Sequence, residues 1–172
     1  MNLKFIPLAL SLALAPAALA DFTVTLSNVH LCCNSCVKGV DKATATVAGA
    51  TAASDKDAET VKITAPDQAT AQKAVDALVA AGYFGVSSDP AIKLNADTGA
   101  KDGWVESLTV SNLHLCCGKC VDAVNDVLEK VPGVKANTAV KNAASFDVTG
   151  NFNAKQVMTA LQAAGLSGKA AK

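Results

Sequence analysis

The sequence predicts an α+β fold made of two consecutive units, each with the order βαββαβ, and three observations lead to this prediction. A cluster of one histidine and three cysteines occurs twice, as NVHLCCNSC at 28–36 and as NLHLCCGKC at 112–120. Each cluster follows a stretch of alternating apolar and polar residues, which is typical of a strand, and precedes apolar residues at helical spacing. A second strand-like and a second helix-like stretch follow in both halves, so the chain is read as an internal repeat.

The first 20 residues have the features of a secretory signal. Lys4 gives a positive start, an apolar run follows, and Ala18, Leu19 and Ala20 form a small-x-small cleavage site. We therefore expect cleavage before Asp21 and a periplasmic or secreted protein. The alternative is an N-terminal membrane anchor, which the short run disfavours because a span needs about 20 apolar residues. No other segment of the sequence is expected to span a membrane.

The first strand and first helix of each unit carry the clearest periodicity. Val24 and Leu26 alternate with polar residues, and they match Leu108 and Val110 in the second copy. The helix that follows is amphipathic, because its apolar residues recur on one helical face. These residues are Val37, Val40 and Val47 in the first copy and Val121, Val124, Leu128 and Val131 in the second. A glycine after each helix predicts the turn that ends it.

The second half of each unit completes a ferredoxin-like sandwich. Pro66 and Asp67 offer a helix start, and Asn153 is a candidate N-cap for the last helix. We place the remaining strands at 51–54, 60–64 and 83–88 and at 135–140 and 145–149. The chain ends in LSGKAAK, a poor strand sequence, so the last strand of the second unit is expected to be short or missing.

These elements divide the chain into a signal peptide, two domains and a linker. The signal covers 1–20, the first domain 21–88, the linker 89–104 and the second domain 105–172. Proline, glycine, asparagine and aspartate in the linker predict an exposed segment.

Composition argues against one class of partner. Fifteen basic residues balance 15 acidic ones, and every basic residue is a lysine. Arginine is the usual residue for bidentate recognition of phosphates and base edges. Neutral charge without arginine therefore argues against nucleic-acid binding.

All six cysteines and both histidines lie in the two clusters. Each cluster stands where the first strand ends and the first helix begins, where unpaired amides and the helix dipole favour a thiolate. The spacing C-x-x-C lets two sulfur atoms converge on one ion, and the preceding cysteine adds a third. The candidate metal ligands are His30, Cys32, Cys33, Cys36, His114, Cys116, Cys117 and Cys120.

The histidines leave the choice of ion open. In an extended strand His30 shares a face with Cys32 while Leu31 points to the core, and the same holds for the second copy. One imidazole with three thiolates is a ligand set found in zinc sites, whereas three thiolates alone favour a soft ion such as Cu(I). The alternative is that both histidines are solvated beside the site.

The stretch TVTLSNVHLCCNSC resembles the first strand and metal loop of heavy-metal-associated domains. These are the βαββαβ modules of copper chaperones, copper-ATPase tails and the periplasmic mercury-binding protein. Their usual loop is Gly-Met-Thr-Cys-x-x-Cys, and in both copies the C-x-x-C cysteines stand at its two metal-binding positions. The resemblance covers about 22–88 and 106–166. Histidine replaces the glycine, leucine the methionine and cysteine the threonine, identically in both copies.

The resemblance also implies a residue near the metal in the loop before the last strand. Family members often have an aromatic residue or a lysine there. Tyr83 or Phe84 can fill that role in the first copy, and Leu166 and Ser167 cannot in the second. We therefore expect the two sites to differ in affinity.

The sequence thus predicts an exported, non-enzymatic protein that binds a soft metal ion as a carrier, buffer or scavenger. Cu(I) is the favoured ion, with Zn²⁺ and Hg²⁺ as alternatives, and a cysteine-bearing protein is the expected partner for metal exchange. Three other hypotheses stay open. They are domains stapled by disulfides, a thiol-disulfide oxidoreductase, and an interaction module crosslinked through its odd thiols.

Overall fold

The computed structural model describes residues 21–171. The predicted signal peptide lies outside this part of the chain. Within it, none of the helices combines the length and the apolar character that crossing a bilayer requires.

Two antiparallel four-stranded sheets, each covered by two helices, make up the described chain. The first unit consists of β1 (Phe22–Ser27), α1 (Asn34–Thr44), β2 (Thr51–Asp55), β3 (Thr60–Ala65), α2 (Gln68–Ala80) and β4 (Val86–Ser87). The second consists of β5 (Trp104–Ser111), α3 (Gly118–Glu129), β6 (Val134–Asn137), β7 (Ser145–Asn153), α4 (Ala154–Ala163) and β8 (Lys169–Ala171). The strand orders β2-β3-β1-β4 and β6-β7-β5-β8 confirm the α+β prediction of two ferredoxin-like sandwiches.

The last strand of the second unit is present, although its sequence is a poor strand. β8 has three residues and β4 only two. β8 pairs with β5, with Val110 opposite Ala170, and the amide of Ala170 donates a hydrogen bond of 2.8 Å to the carbonyl of Thr98. Backbone partners on both sides therefore hold a strand that side-chain propensity alone does not predict.

The first strands end earlier than the alternation suggests. β1 ends at Ser27, because Asn28 takes a left-handed conformation with φ 56°, and Asn112 does the same in the second unit with φ 59°. The chain therefore turns before the histidines. Leu31 is nevertheless buried, as expected, with 2% of its surface exposed.

The first helices also end earlier than expected. α1 ends at Thr44 and α3 at Glu129, so Val47 and Val131 lie in the turns beyond them. Val131 is still buried at 6% exposure, because the turn itself packs on the core.

The apolar residues of the two units form one continuous core. Val24 and Leu26 of β1 and Leu108 and Val110 of β5 point into it, as their alternation predicts. The segment between the units joins this packing in part. Ile92 is 2% exposed and Thr98 is 7% exposed, whereas most of their neighbours are exposed as expected.

Two glycines let the units approach closely. Gly82 follows α2 and Gly165 follows α4, with φ values of 94° and 77°. A Cβ atom on Gly165 would lie 2.5 Å from the amide nitrogen of His30, and one on Gly82 would lie 2.5 Å from that of His114. The turn after the second helix of each unit therefore rests on the histidine segment of the other unit.

Hydrogen bonds across this contact repeat on both sides. The amide of Phe84 donates to the carbonyl of Gly165 at 3.0 Å, and the amide of Ser167 donates to the carbonyl of Gly82 at 2.9 Å. Between them Tyr83 and Leu166 form an antiparallel bridge. This near-symmetric contact places the two cysteine clusters side by side.

Candidate metal centre

The cysteines occupy the first residues of α1 and α3. Cys33 and Cys117 are the N-cap residues, and neither side chain makes a capping hydrogen bond to its helix. Cys36 and Cys120 lie in the first helical turn and expose none of their surface. The sulfur atoms of the two N-cap cysteines therefore do not cap their helices, and they lie beside the buried sulfur atoms of Cys36 and Cys120.

Within each unit the three sulfur atoms are in contact. The Sγ atom of Cys36 lies 3.6 Å from that of Cys32 and 3.8 Å from that of Cys33. In the second unit the Sγ atom of Cys120 lies 3.8 Å from those of Cys116 and Cys117. All six cysteines are free of disulfide bonds.

Sulfur atoms of different units are equally close. The Sγ atom of Cys32 lies 3.3 Å from that of Cys117 and 3.4 Å from that of Cys120. The Sγ atom of Cys36 lies 3.5 Å from that of Cys116 and 4.0 Å from that of Cys120. The structure therefore brings the six predicted cysteines into a single group, which we call the six-sulfur cluster.

The two histidines have different surroundings. A ring nitrogen of His30 lies within 4.8 Å of the sulfur atoms of Cys32 and Cys120, so the imidazole faces donors from both units. His114 belongs to no such three-donor group among the described residues, and its ring packs against Tyr83 with centroids 4.8 Å apart. The Nε2 atoms of both histidines are buried and make no hydrogen bond in the described structure.

Burial lowers the pKa of His30, which outweighs the opposite effects of nearby Cys36 and Glu59. A lowered pKa favours the neutral imidazole, which is the form that ligates metals. Since its Nε2 atom lacks a hydrogen-bond partner, His30 is available as a nitrogen ligand at the edge of the cluster.

Contacts among the sulfur atoms shift their pKa values in opposite directions. The hydrogen bond with Cys120 is the largest effect that lowers the pKa of Cys36, to about 2, and the same contact raises the pKa of Cys120. Burial, first among several causes, raises the pKa of Cys32 and Cys116. Burial also opposes ionisation of Cys117, but hydrogen bonds from the Cys120 amide and from neighbouring thiols lower its pKa to about 7. The low pKa of Cys36 favours its thiolate, which is the form that binds a cation.

Tyr83 is the aromatic residue that borders the cluster. It is 2% exposed, and its hydroxyl donates a 2.9 Å hydrogen bond to the carbonyl of Cys36. Burial, followed by the charge of Cys36, raises its pKa, so it stays a neutral donor. Its contact with His114 joins the two units, a role that no local pattern in the sequence could indicate.

The donor set fits a soft metal. The three-donor groups among the described residues contain sulfur and imidazole nitrogen and no carboxylate oxygen. Thiolates select Cu(I), Zn²⁺ and similar ions, whereas Ca²⁺ and Mg²⁺ require oxygen ligands. Cys32, Cys33, Cys116 and Cys117 are partly exposed, which leaves a path for an ion to reach the buried sulfur atoms.

Comparisons with known proteins add little to this geometry. No protein-family model and no curated protein matches the chain. Among solved structures, the N-terminal soluble domains of Bacillus subtilis CopA are 15% identical with a TM-score of 0.32, over 88% of this chain and 95% of that chain. The first two RRM domains of the yeast poly(U) binding protein Pub1 are 11% identical with a TM-score of 0.25, over 88% and 99%. Likenesses at these TM-scores carry no argument about function.

Proposed function

We propose that this protein binds a soft metal ion, with Cu(I) as the favoured ion, through the sulfur atoms of its six cysteines. One observation carries the proposal: six sulfur atoms without a disulfide bond lie in contact, with separations from 3.3 to 4.0 Å. Thiols gathered in this way bind a thiophilic cation as thiolates. The motif resemblance to heavy-metal-associated domains agrees with this chemistry.

The proposed role is that of a non-catalytic carrier, buffer or scavenger outside the cytoplasm. The partly exposed cysteines at the surface of the cluster permit ligand exchange, in which the cysteine of a partner protein binds the ion as one of these releases it. Export rests on the N-terminal segment alone. Mass spectrometry of the exported protein should find a mature chain that begins at Asp21.

The binding test is an anaerobic titration of the reduced mature protein with Cu(I) in competition with a chromophoric chelator. We expect tight uptake, and we expect the double variant Cys33→Ala and Cys36→Ala to lose at least tenfold in affinity. Met158→Leu is the control, because it removes a sulfur atom that is buried in the core and keeps the volume of the side chain. Unchanged uptake by the double cysteine variant contradicts the proposal.

Zinc is the second candidate, because His30 joins Cys32 and Cys120 in a set of one nitrogen and two sulfur atoms. Zinc sites commonly combine imidazole and thiolate, whereas Cu(I) is well served by thiolates alone. If zinc is the ion, His30→Ala should weaken Zn²⁺ binding at least tenfold and leave Cu(I) binding nearly unchanged. Equal affinity of variant and parent for Zn²⁺ rules out a zinc site built on His30.

A further inference from the structure

We propose that the two cysteine clusters form one shared site, which holds several Cu(I) ions in a thiolate-bridged cluster instead of one ion in each unit. This inference rests on the proposed function, because it specifies how the same sulfur atoms bind the metal. In this proposal, the contact between the two units takes part directly in metal binding.

The distances do not separate the sulfur atoms into two sites. The contacts between units, at 3.3 Å for Cys32 with Cys117 and 3.5 Å for Cys36 with Cys116, are shorter than the 3.8 Å between Cys33 and Cys36 within one C-x-x-C motif. An ion bound by either motif therefore lies within reach of sulfur atoms from the other unit. Two independent sites require a gap between the motifs, and the structure has none.

The donor atoms also overlap between groups. There are four groups of three residues whose donor atoms all lie within 4.8 Å of one another. Three of these groups combine residues of both units. The groups are His30 with Cys32 and Cys120, Cys32 with Cys33 and Cys117, Cys33 with Cys36 and Cys116, and Cys116 with Cys117 and Cys120. Every cysteine except Cys36 belongs to two groups. A thiolate that belongs to two groups can bridge two ions, so the arrangement supports about four three-coordinate Cu(I) ions.

Charge favours several ions over one. A thiolate that bridges two Cu(I) ions has its negative charge balanced by both, whereas an unbalanced thiolate in this half-buried place is costly. Among residues 21–171, no hydrogen bond joins a lysine to a cysteine sulfur. Additional Cu(I) ions supply the missing positive charge.

The binding step is a ligand exchange and involves no redox change. Each thiol that becomes a ligand loses its S–H bond, forms an S–Cu bond and releases one proton to the solvent. A bridging sulfur forms a second S–Cu bond with another of its lone pairs. Copper stays Cu(I) throughout.

Loading stoichiometry gives the first test. Native mass spectrometry of the reduced mature protein during anaerobic Cu(I) addition should show a jump from the apo form to a species with more than two ions per chain. X-ray absorption at the copper edge should show a copper–copper scattering path. Saturation at two ions in separate steps, without that path, overturns the shared site but leaves the proposed function standing. Failure to bind Cu(I) at all contradicts both.

A glycine substitution gives the second test, because it acts on the contact between units without changing a sulfur atom. Gly165→Ala places a Cβ atom 2.5 Å from the backbone of Asn28 and His30, which pushes the units apart. The control is Gly99→Ala, which also has a left-handed backbone, with φ 75°, but whose Cβ atom meets nothing closer than 3.7 Å. We expect the first variant to bind two ions or fewer, one at a time, and the control to load like the parent. Cooperative loading of more than two ions by folded Gly165→Ala contradicts the proposal.

If the Gly165→Ala variant does not fold, Cys32→Ser can distinguish one shared site from two separate sites. In a shared site the loss of one bridging sulfur lowers the number of ions in the whole cluster and removes the cooperative step. In two separate sites the second unit would still load its own ion with the affinity of the parent, and that result overturns the proposal.

Discussion

Cys36 and Cys120 are equivalent residues of the two units, and both are fully buried in the six-sulfur cluster. The contact between their sulfur atoms, 4.0 Å apart, lowers the pKa of Cys36 and raises that of Cys120. Around them the polar contacts are few. The hydroxyl of Tyr83 donates to the carbonyl of Cys36 and so ties the first turn of α1 to the turn after α2 within the first unit.

Removing that hydroxyl should weaken the structure measurably. Tyr83→Phe keeps the buried ring and its contact with His114 but deletes the hydrogen bond, so we expect the free energy of unfolding to fall by about 1 kcal/mol. Urea unfolding of the reduced apo protein measures this change. The control is Phe84→Leu, at a half-buried neighbour whose side chain makes no hydrogen bond. A stability equal to that of the parent shows that the bond to Cys36 contributes nothing.

At the scale of the elements, the four helices begin in two different ways. Asp67 caps α2 and Asn153 caps α4 with side-chain hydrogen bonds, as the sequence predicts. α1 and α3 begin instead with Cys33 and Cys117, which make no such bond. A cap contributes about 1 kcal/mol to a helix, so the two helices that begin at the six-sulfur cluster lack that stabilisation.

The cap of α2 should make the protein sensitive to acid. The backbone amide of Thr70 holds the pKa of Asp67 below its usual value of 3.8. A lowered pKa in the folded state contributes stability above pH 3.8, and this contribution is lost as the pH falls through the folded pKa. Asp67→Ala should therefore lower the Tm at pH 7, and the difference from the parent should shrink below pH 3.8.

Thermal unfolding followed by circular dichroism at pH 7 and at several values below 3.8 measures this effect. Asp126→Ala is the control, because Asp126 is exposed on α3 and makes no side-chain hydrogen bond in the described structure. A Tm difference for Asp67→Ala that stays constant through the acid range contradicts the assignment of the cap.

In the whole molecule, the two units share one apolar core. The buried apolar residues of both units form one cluster, and Leu166, with 1% of its surface exposed, pairs with Tyr83 across the contact. Neither unit keeps its buried face without the other. The six-sulfur cluster lies on the same contact, so an ion bound there would also favour the association of the units.

We therefore expect the apo protein to unfold in one cooperative transition. Leu166→Ala should lower the free energy of unfolding by about 2–5 kcal/mol, because it leaves a cavity at the contact between the units. It should also broaden or split the transition. Scanning calorimetry measures both effects, with Val140→Ala as a control at a position that is 60% exposed. Two separate transitions in the parent protein would show that the units are independent.

The repeat, the order of the elements and the residues at each helix start can be predicted from the sequence alone. These follow from local rules, since alternation marks β1 and β5, helical spacing marks α1 and α3, and C-x-x-C places two sulfur atoms on one turn. Local rules also located the caps at Asp67 and Asn153. They left the last strand of the second unit as short or missing; β8 is short, and its three residues depend on backbone partners from β5 and the carbonyl of Thr98.

The meeting of the two cysteine motifs, in contrast, depends on how the two units pack together. The contact of Cys32 with Cys117 exists because the turns at Gly82 and Gly165 rest on opposite units, and no periodicity within either unit encodes that approach. The two histidines occupy identical positions in the repeat but differ in their contacts: a ring nitrogen of His30 completes a three-donor group with Cys32 and Cys120, whereas the ring of His114 packs against Tyr83.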